Sequence, residues 1–187
     1  MFVLALMGWG CKQKPAETAG KEDLSKDTIS FFQVDEYIKS QIREVNKTPY
    51  FIYRIQVING TKDSLAINTN DFNRLAIPFL QTAINEPGVK KNYTENVFHD
   101  QTTQSYTLSY TTSNKALPVQ SVDVLLNEDA QTVKRIFIRK FFSYDDSSAI
   151  EQLSWKPGIQ FQVNRLVQTN DNKEISRELT VVWNGKE

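Results

Sequence analysis

From Gln104 onward, apolar residues fall on every second position, segment after segment, and only turn residues separate the segments. Tyr106, Leu108 and Tyr110 alternate with Thr107, Ser109 and Thr111. Val122, Val124 and Leu126 alternate with Ser121 and Asp123. Residues 133–144 make a longer strand, apolar or basic on both faces, and residues 150–155 a shorter one. Phe161, Val163 and Val167 alternate with Gln160, Gln162 and Asn164, and Ile175, Leu179, Val181 and Trp183 line one face of the last strand. The breaks are Asn127-Glu128-Asp129, Lys156-Pro157-Gly158-Ile159 and Asn170-Asp171-Asn172. The second is a type II turn by residue type, with Gly158 at the position that needs a positive φ. Connections this short leave only antiparallel neighbours.

An antiparallel sheet with one apolar face needs a cover, and the first half of the chain supplies it. Phe31, Val34, Ile38, Ile42 and Val45 recur at helical spacing, which predicts a helix over residues 30–45, opened by a Ser30/Gln33 capping box. Residues 50–58 read as a strand, and Asn59-Gly60 as a hairpin tip leading to a short partner over residues 64–68. A second helix starts at Asn70 as N-cap and carries the stripe Phe72, Leu75, Ala76, Phe79, Leu80 and Ala83, with Pro78 set to kink or split it. Residues 89–103 are polar and carry no clear period. The fold class is therefore α+β: a curved antiparallel sheet of about six to eight strands packed on two helices from the N-terminal half. Tyr106, Leu108, Val124, Phe161, Val163, Leu179 and Val181 should pack on Ile38, Ile42, Leu75 and Phe79. Cystatin-like, nuclear-transport-factor-like and lipoprotein-carrier-like half barrels all suit this pattern, and nothing in the sequence chooses among them.

Composition narrows the chemistry. The chain has 187 residues, 40% apolar and 24% charged, so it can bury a sizeable core. Basic and acidic residues balance at 22 each, which leaves no net field to draw the protein to nucleic acid. Cys11 is the only cysteine and His99 the only histidine. An internal disulfide, a thiolate metal cluster, a three-histidine zinc site and any dyad that needs two histidines are all excluded. No P-loop, dinucleotide fingerprint, H-E-x-x-H or G-x-S-x-G motif is present. No cofactor and no metal is expected.

The chain opens MFVLALMGWGC, a short apolar run that stops at the lone cysteine. It is too short to span a bilayer but suits the apolar core of a signal segment. Gly8-Trp9-Gly10-Cys11 resembles the lipobox of bacterial lipoproteins, with the small Gly10 directly before the cysteine. Gly8 stands where Leu is usual, and Trp9 is bulky for its place. The resemblance implies that residues 1–10 are removed and that Cys11 becomes the first mature residue, carrying diacylglycerol on its sulfur. No Lys or Arg lies between Met1 and Cys11, so a basic n-region is expected upstream of Met1. Lys12 is not Asp, which in the Gram-negative members of this family favours the outer membrane, here on its periplasmic face. Residues 11–29 carry no aromatic residue and one leucine, so they read as a disordered tether. A flexible chain of that length reaches about 20–25 Å. Residues 30–187 are the folded domain.

Few residues suggest a site. In VKRIFIRKFF, Lys134, Arg135, Arg139 and Lys140 frame Ile136-Phe137-Ile138, a pattern that fits a headgroup, glycan or anionic-polymer surface, or simply a central strand with flanking charges that reach water. His99-Asp100 would point to opposite faces of a strand, so the pair is no dyad by itself. Asp145-Asp146-Ser147-Ser148 offers two carboxylates and no glycine, short of a calcium loop. Asn46, Asn59 and Asn92 head glycosylation sequons that matter only in a eukaryotic secretory route.

Three function classes follow. The first is a lipid-anchored, non-enzymatic binding module or accessory subunit of an envelope assembly, whose partner would be a protein complex or a glycan. The second is a carrier with Tyr106, Leu108, Trp155, Phe161, Val163 and Trp183 around an apolar ligand, the same residues that would otherwise form the core. The third is a hydrolase that uses carboxylates alone, which needs two acids about 5–10 Å apart across a cleft. The anchor has its own test. A diacylglyceryl cysteine supplies the two chains that stable anchoring needs, at about 0.8 kcal/mol per buried CH₂. Expressed from a start that includes the upstream basic segment, the Cys11→Ser protein should fold but leave the membrane fraction. Continued fractionation with the envelope, or an unmodified Cys11 behind an intact N-terminus by mass spectrometry, would refute the lipoprotein reading.

Overall fold

A computed structural model describes residues 31–185. The expected signal segment and tether, and Cys11, lie outside these residues. Helix α1 spans Val34–Lys47 and buries Val34, Ile38 and Val45. Its start corrects the capping-box expectation. Gln33 is itself the N-cap, with its side-chain amide turned back to the Phe31 carbonyl (3.2 Å), so it is not the third helical residue that such a box requires. The helix ends at Thr48, which is extended because Pro49 follows it.

Strand β1 (Ile52–Ile58) turns at Asn59-Gly60 into β2 (Thr61–Ile67). Both loop residues have positive φ, 47° and 84°, and Ile58 pairs with Thr61 across a two-residue turn, as the Asn-Gly signal requires. Helix α2 (Thr69–Ala76) is capped by Asn68, whose side chain accepts from the Asp71 N–H at 2.9 Å; the expected cap, Asn70, sits one turn position inside. Pro78 ends the helix as expected, and a 3₁₀ turn (Ile77–Leu80) completes the stripe. Ala83 is not part of that stripe, because its φ is +53° and the helix has already stopped. A single turn, α3 (Pro87–Lys90), leads to β3 (Thr94–Asp100).

The remaining strands run in a continuous meander: β4 (Ser105–Thr111), β5 (Val119–Asn127), β6 (Val133–Ser143), β7 (Ser147–Lys156), β8 (Gln160–Thr169) and β9 (Glu174–Val182). Gly158 has a φ of +69° in the β7–β8 turn, as its turn type needs. The sheet is open and entirely antiparallel, in the order β2-β1-β9-β8-β7-β6-β5-β4-β3. Nine strands exceed the six to eight expected, and the addition is β3. That strand lies at an edge with most of its residues exposed, so it has no buried face to impose a period.

The chain leaves one edge at β2, crosses one face of the sheet as α2, the 3₁₀ turn and α3, and re-enters at the opposite edge as β3. That crossing and α1 cover one face. Val124, Phe161 and Val181 are fully buried there with Ile38 and Phe79, and Tyr106, Leu108, Val163, Leu179, Ile42 and Leu75 pack half-buried around them. The expected meeting of sheet stripe and helix stripe therefore holds. Two hydroxyls fasten the cover. The Phe32 N–H donates to Tyr110 Oη (2.9 Å), and Tyr93 Oη donates to the Val119 carbonyl (2.6 Å).

Burial pushes the Tyr110 hydroxyl up to about 12, and the nearby Glu95 adds to this, while the Phe32 N–H pulls the other way. The folded-state value lies above the ordinary 10.0, so the Tyr110 contribution is intact below pH 10 and is lost as pH rises towards about 12. Denaturation across that window should show the wild type losing stability more steeply than Tyr110→Phe. Equal slopes would mean that Tyr110 ionises as easily folded as unfolded.

Candidate functional site

The two faces of the sheet differ because each strand alternates and only one face is covered. Strand β6 shows this most clearly. Ile136, Ile138 and Lys140 are buried under the helices, and Phe137 and Arg139 are exposed on the other face, with Arg135 half-exposed beside them. The four basic residues singled out in the sequence therefore do not form one surface. Lys134 is exposed at a bulge, where Leu125 pairs with Arg135 and Leu126 with Val133. Arg135 lies over the Phe137 ring at 5.6 Å.

Lys140 is inside the protein, 2% exposed, and its ammonium donates to the Pro78 carbonyl at 2.6 Å. The acceptor lies in the 3₁₀ turn that follows α2, where carbonyls lack helical partners. Burial pushes the Lys140 ammonium down, opposed by Glu151 and Asp35. Glu151 is the cross-strand neighbour of Lys140 and accepts from Arg165 Nη1 at 2.6 Å, while Asp35 accepts from the Thr82 hydroxyl. Both carboxylates are bonded to neighbours, Glu151 across β7 and β8 and Asp35 to the residue two beyond the 3₁₀ turn, so the cluster reads as structural. Sequence reasoning missed it because Lys140 carries the same charge as Arg139 and differs only in strand parity.

The uncovered face carries three adjoining grooves. The largest, about 360 Å³, is lined by Thr111, Thr112, Lys115, Gln120, Arg139, Phe141 and Ile150, together with Lys140. A second, about 240 Å³, shares Arg139 and adds Asp123, Phe137 and Gln152. A third, about 230 Å³, shares Ile150 and Gln152 and adds Asn164, Leu166 and Glu178. Exposed Phe137, Ile150 and Leu166 dot the surface between them.

The walls are held in place. The Asn114 side chain accepts from the Ala116 N–H at 3.0 Å, Gln120 Nε2 donates to the Asn114 carbonyl at 3.3 Å, and the Phe141 N–H donates to Pro118 O at 2.8 Å. Lys115 and Arg139 line the same groove. Ser109 Oγ donates to Asp123 at 2.6 Å. Among the described residues neither Lys115 nor Arg139 has an ion pair. The groove can therefore offer two cations, an amide and two hydroxyls above an apolar floor. Lys115 and Gln120 carried no signal in the sequence, since a loop lysine looks alike whether or not it faces a groove.

The other candidates lie elsewhere. His99 stacks on Tyr106 at 4.3 Å, with its plane 10° from the tyrosine ring. Asp100 instead accepts from Thr103 Oγ1 (2.8 Å) and the Thr102 N–H (2.8 Å), bonds that hold its carboxyl below the usual range. The two side chains do not act together. Asp146 accepts from its neighbour Ser147 at 2.9 Å in the β6–β7 turn. Trp155, Phe161 and Trp183, weighed as cavity lining or core, pack on one another in the core.

No family model matches the chain, and no curated protein matches it. Among solved structures it is similar to the S-type phycobiliprotein lyase CPES from Guillardia theta, at 12% identity and a TM-score of 0.27, over 81% of this chain and 99% of that one. A likeness at that level carries neither fold nor function to this chain.

The Lys140 cluster makes its own prediction. Lys140→Met keeps the stem but removes the donor from the buried Pro78 carbonyl and the cation from between Glu151 and Asp35. It should lower stability by about 1.5–3 kcal/mol in urea denaturation, the range for a hydrogen bond from a charged group. An unchanged midpoint would show that the ammonium does not hold the turn to the sheet.

Proposed function

We propose that this protein is a lipid-anchored, non-enzymatic binding module of the bacterial envelope, held through Cys11 at the periplasmic face of the outer membrane. Its ligand, on this reading, is an anionic glycan bound on the uncovered face of the sheet. The observation that carries the reading is the groove in which Lys115 and Arg139 stand without ion-pair partners above Phe141 and Ile150. A sugar ring has an apolar face and polar edges. Phe141 and Ile150 suit the first, while Gln120, Thr111 and Thr112 suit the hydroxyls. Lys115 and Arg139 suit carboxylates, the guanidinium with two parallel donors. The tether behind Cys11 places such a face within reach of envelope polymers.

The test uses the soluble Cys11→Ser chain, titrated calorimetrically with polygalacturonate and, as a neutral control, dextran. Polygalacturonate should bind and dextran should not, and binding should weaken at high salt because the contacts are exposed charges. Replacing both Lys115 and Arg139 with Ala should weaken binding at least tenfold, about 1.4 kcal/mol. Equal binding of the two polymers, or a double variant that binds as the parent does, would overturn the glycan reading.

A further inference from the structure

The sheet is open, so it has two edges, and they are built differently. The β2 edge carries Lys62 and Asp63, with Asp63 bonded to Arg54 at 2.7 Å. Charges on an edge strand discourage pairing with another chain. The β3 edge carries Glu95 and Asp100 but less of that protection. Its sequence, TENVFHD, has no lysine, proline or glycine, and its register with β4 runs from Thr94↔Thr111 to Asp100↔Ser105 without a shift. Val97 and Phe98 are 62% and 63% exposed, one on each face of the strand.

The order of residues in β3 is complementary to itself. Antiparallel pairing of two β3 strands about Val97 places Val97 opposite its copy, Asn96 opposite Phe98, and Glu95 opposite His99 on both sides of the axis. Centring the pair on Asn96 or Phe98 loses the match between acid and imidazole. Glu95 and His99 lie on the same face, and both are held. Glu95 sits by the Tyr110 hydroxyl, and the His99 ring is stacked on Tyr106. An imidazole presents an N–H to a facing carboxylate in either charge state.

We propose that β3 pairs with the β3 of a second copy of this chain about a two-fold axis at Val97, joining two nine-stranded sheets into one. The surface is separate from the Arg139 groove and does not depend on what that groove binds. Two seven-residue strands make a small isologous contact, so the dimer is weak, with a dissociation constant on the order of 10–100 µM.

The test is sedimentation equilibrium of the Cys11→Ser chain from about 1 to 200 µM, a range that spans this dissociation constant. Absence of the thioether lipid keeps acyl chains from driving association. A monomer–dimer equilibrium should appear. Val97→Lys should weaken it at least tenfold, and Leu65→Lys on the β2 edge should leave it unchanged. Glu95→Lys should weaken it by setting lysine against histidine. The double variant Glu95→Lys/His99→Glu should recover most of that loss, because the swap restores opposite charges at both positions. Circular dichroism checks that each variant is folded. A chain that stays monomeric throughout the range overturns the proposal. So does a dimer indifferent to Val97→Lys, one equally weakened by Leu65→Lys, or a folded double variant with no recovery.

Discussion

The architecture depends on one aromatic contact. Trp155 and Phe161 are directly opposed across β7 and β8, and their rings stack at 5.2 Å. Phe79 meets Trp155 edge-on at 5.1 Å, and Phe72 meets Trp183 edge-on at 5.3 Å. Phe72 lies in α2 and Phe79 in the 3₁₀ turn that follows it, seven residues on, and both rings reach the same cluster. Each buried ring contributes about 1.5–3 kcal/mol, and each well-oriented pair about 0.5–1.5 kcal/mol more. The cluster also carries a cost. Among the described residues Trp155 Nε1 is buried without an acceptor, about 1–3 kcal/mol that the packing must offset. This contact sits where the cross-sheet connection passes over the sheet, and the Lys140–Pro78 bond reinforces it there.

Once that face is closed, polar groups near it have to be satisfied from within. Lys140 reaches the Pro78 carbonyl beside the cluster, Glu151 and Asp35 balance its charge, and Arg165 donates to Glu151. The same strand then turns Arg139 to the opposite face, where nothing covers it. One alternation thus divides the basic residues of VKRIFIRKFF between the interior and the uncovered face. The connection that closes one face also leaves the two edges far apart, and it brings β3 to an edge where Val97 and Phe98 meet solvent.

Local patterns made most elements legible. The two-residue period from Gln104 gave the strands of the meander, the Asn59-Gly60 pair fixed the β1–β2 register, and Pro78 marked the end of α2. Each is a short-range effect: side-chain alternation, positive φ, a missing N–H. The helix starts were less legible, because Ser30, Gln33, Asn68 and Asn70 are all chemically able to cap, and the choice rests on which turn docks on the sheet. Strand β3 was not legible at all. Its pairing comes from β4, while its own residues are mostly exposed, so no buried stripe marks it.

The sequence by itself determined the class of fold, the apolar faces that had to meet, the turn at Asn59-Gly60 and the lack of any familiar catalytic motif. The tertiary structure alone decided that β1 pairs with β9, with Ile55 opposite Thr180, and that Lys140 is buried where Arg139 is exposed. It alone brought Lys115 and Arg139 to the same groove. The reason is physical. A period reports which residues of one element share a face, but which face is covered, and which distant strand lies alongside, depends on contacts between residues far apart in the chain. No local preference encodes those contacts, and only the packing of the helices against one side of the sheet selects them.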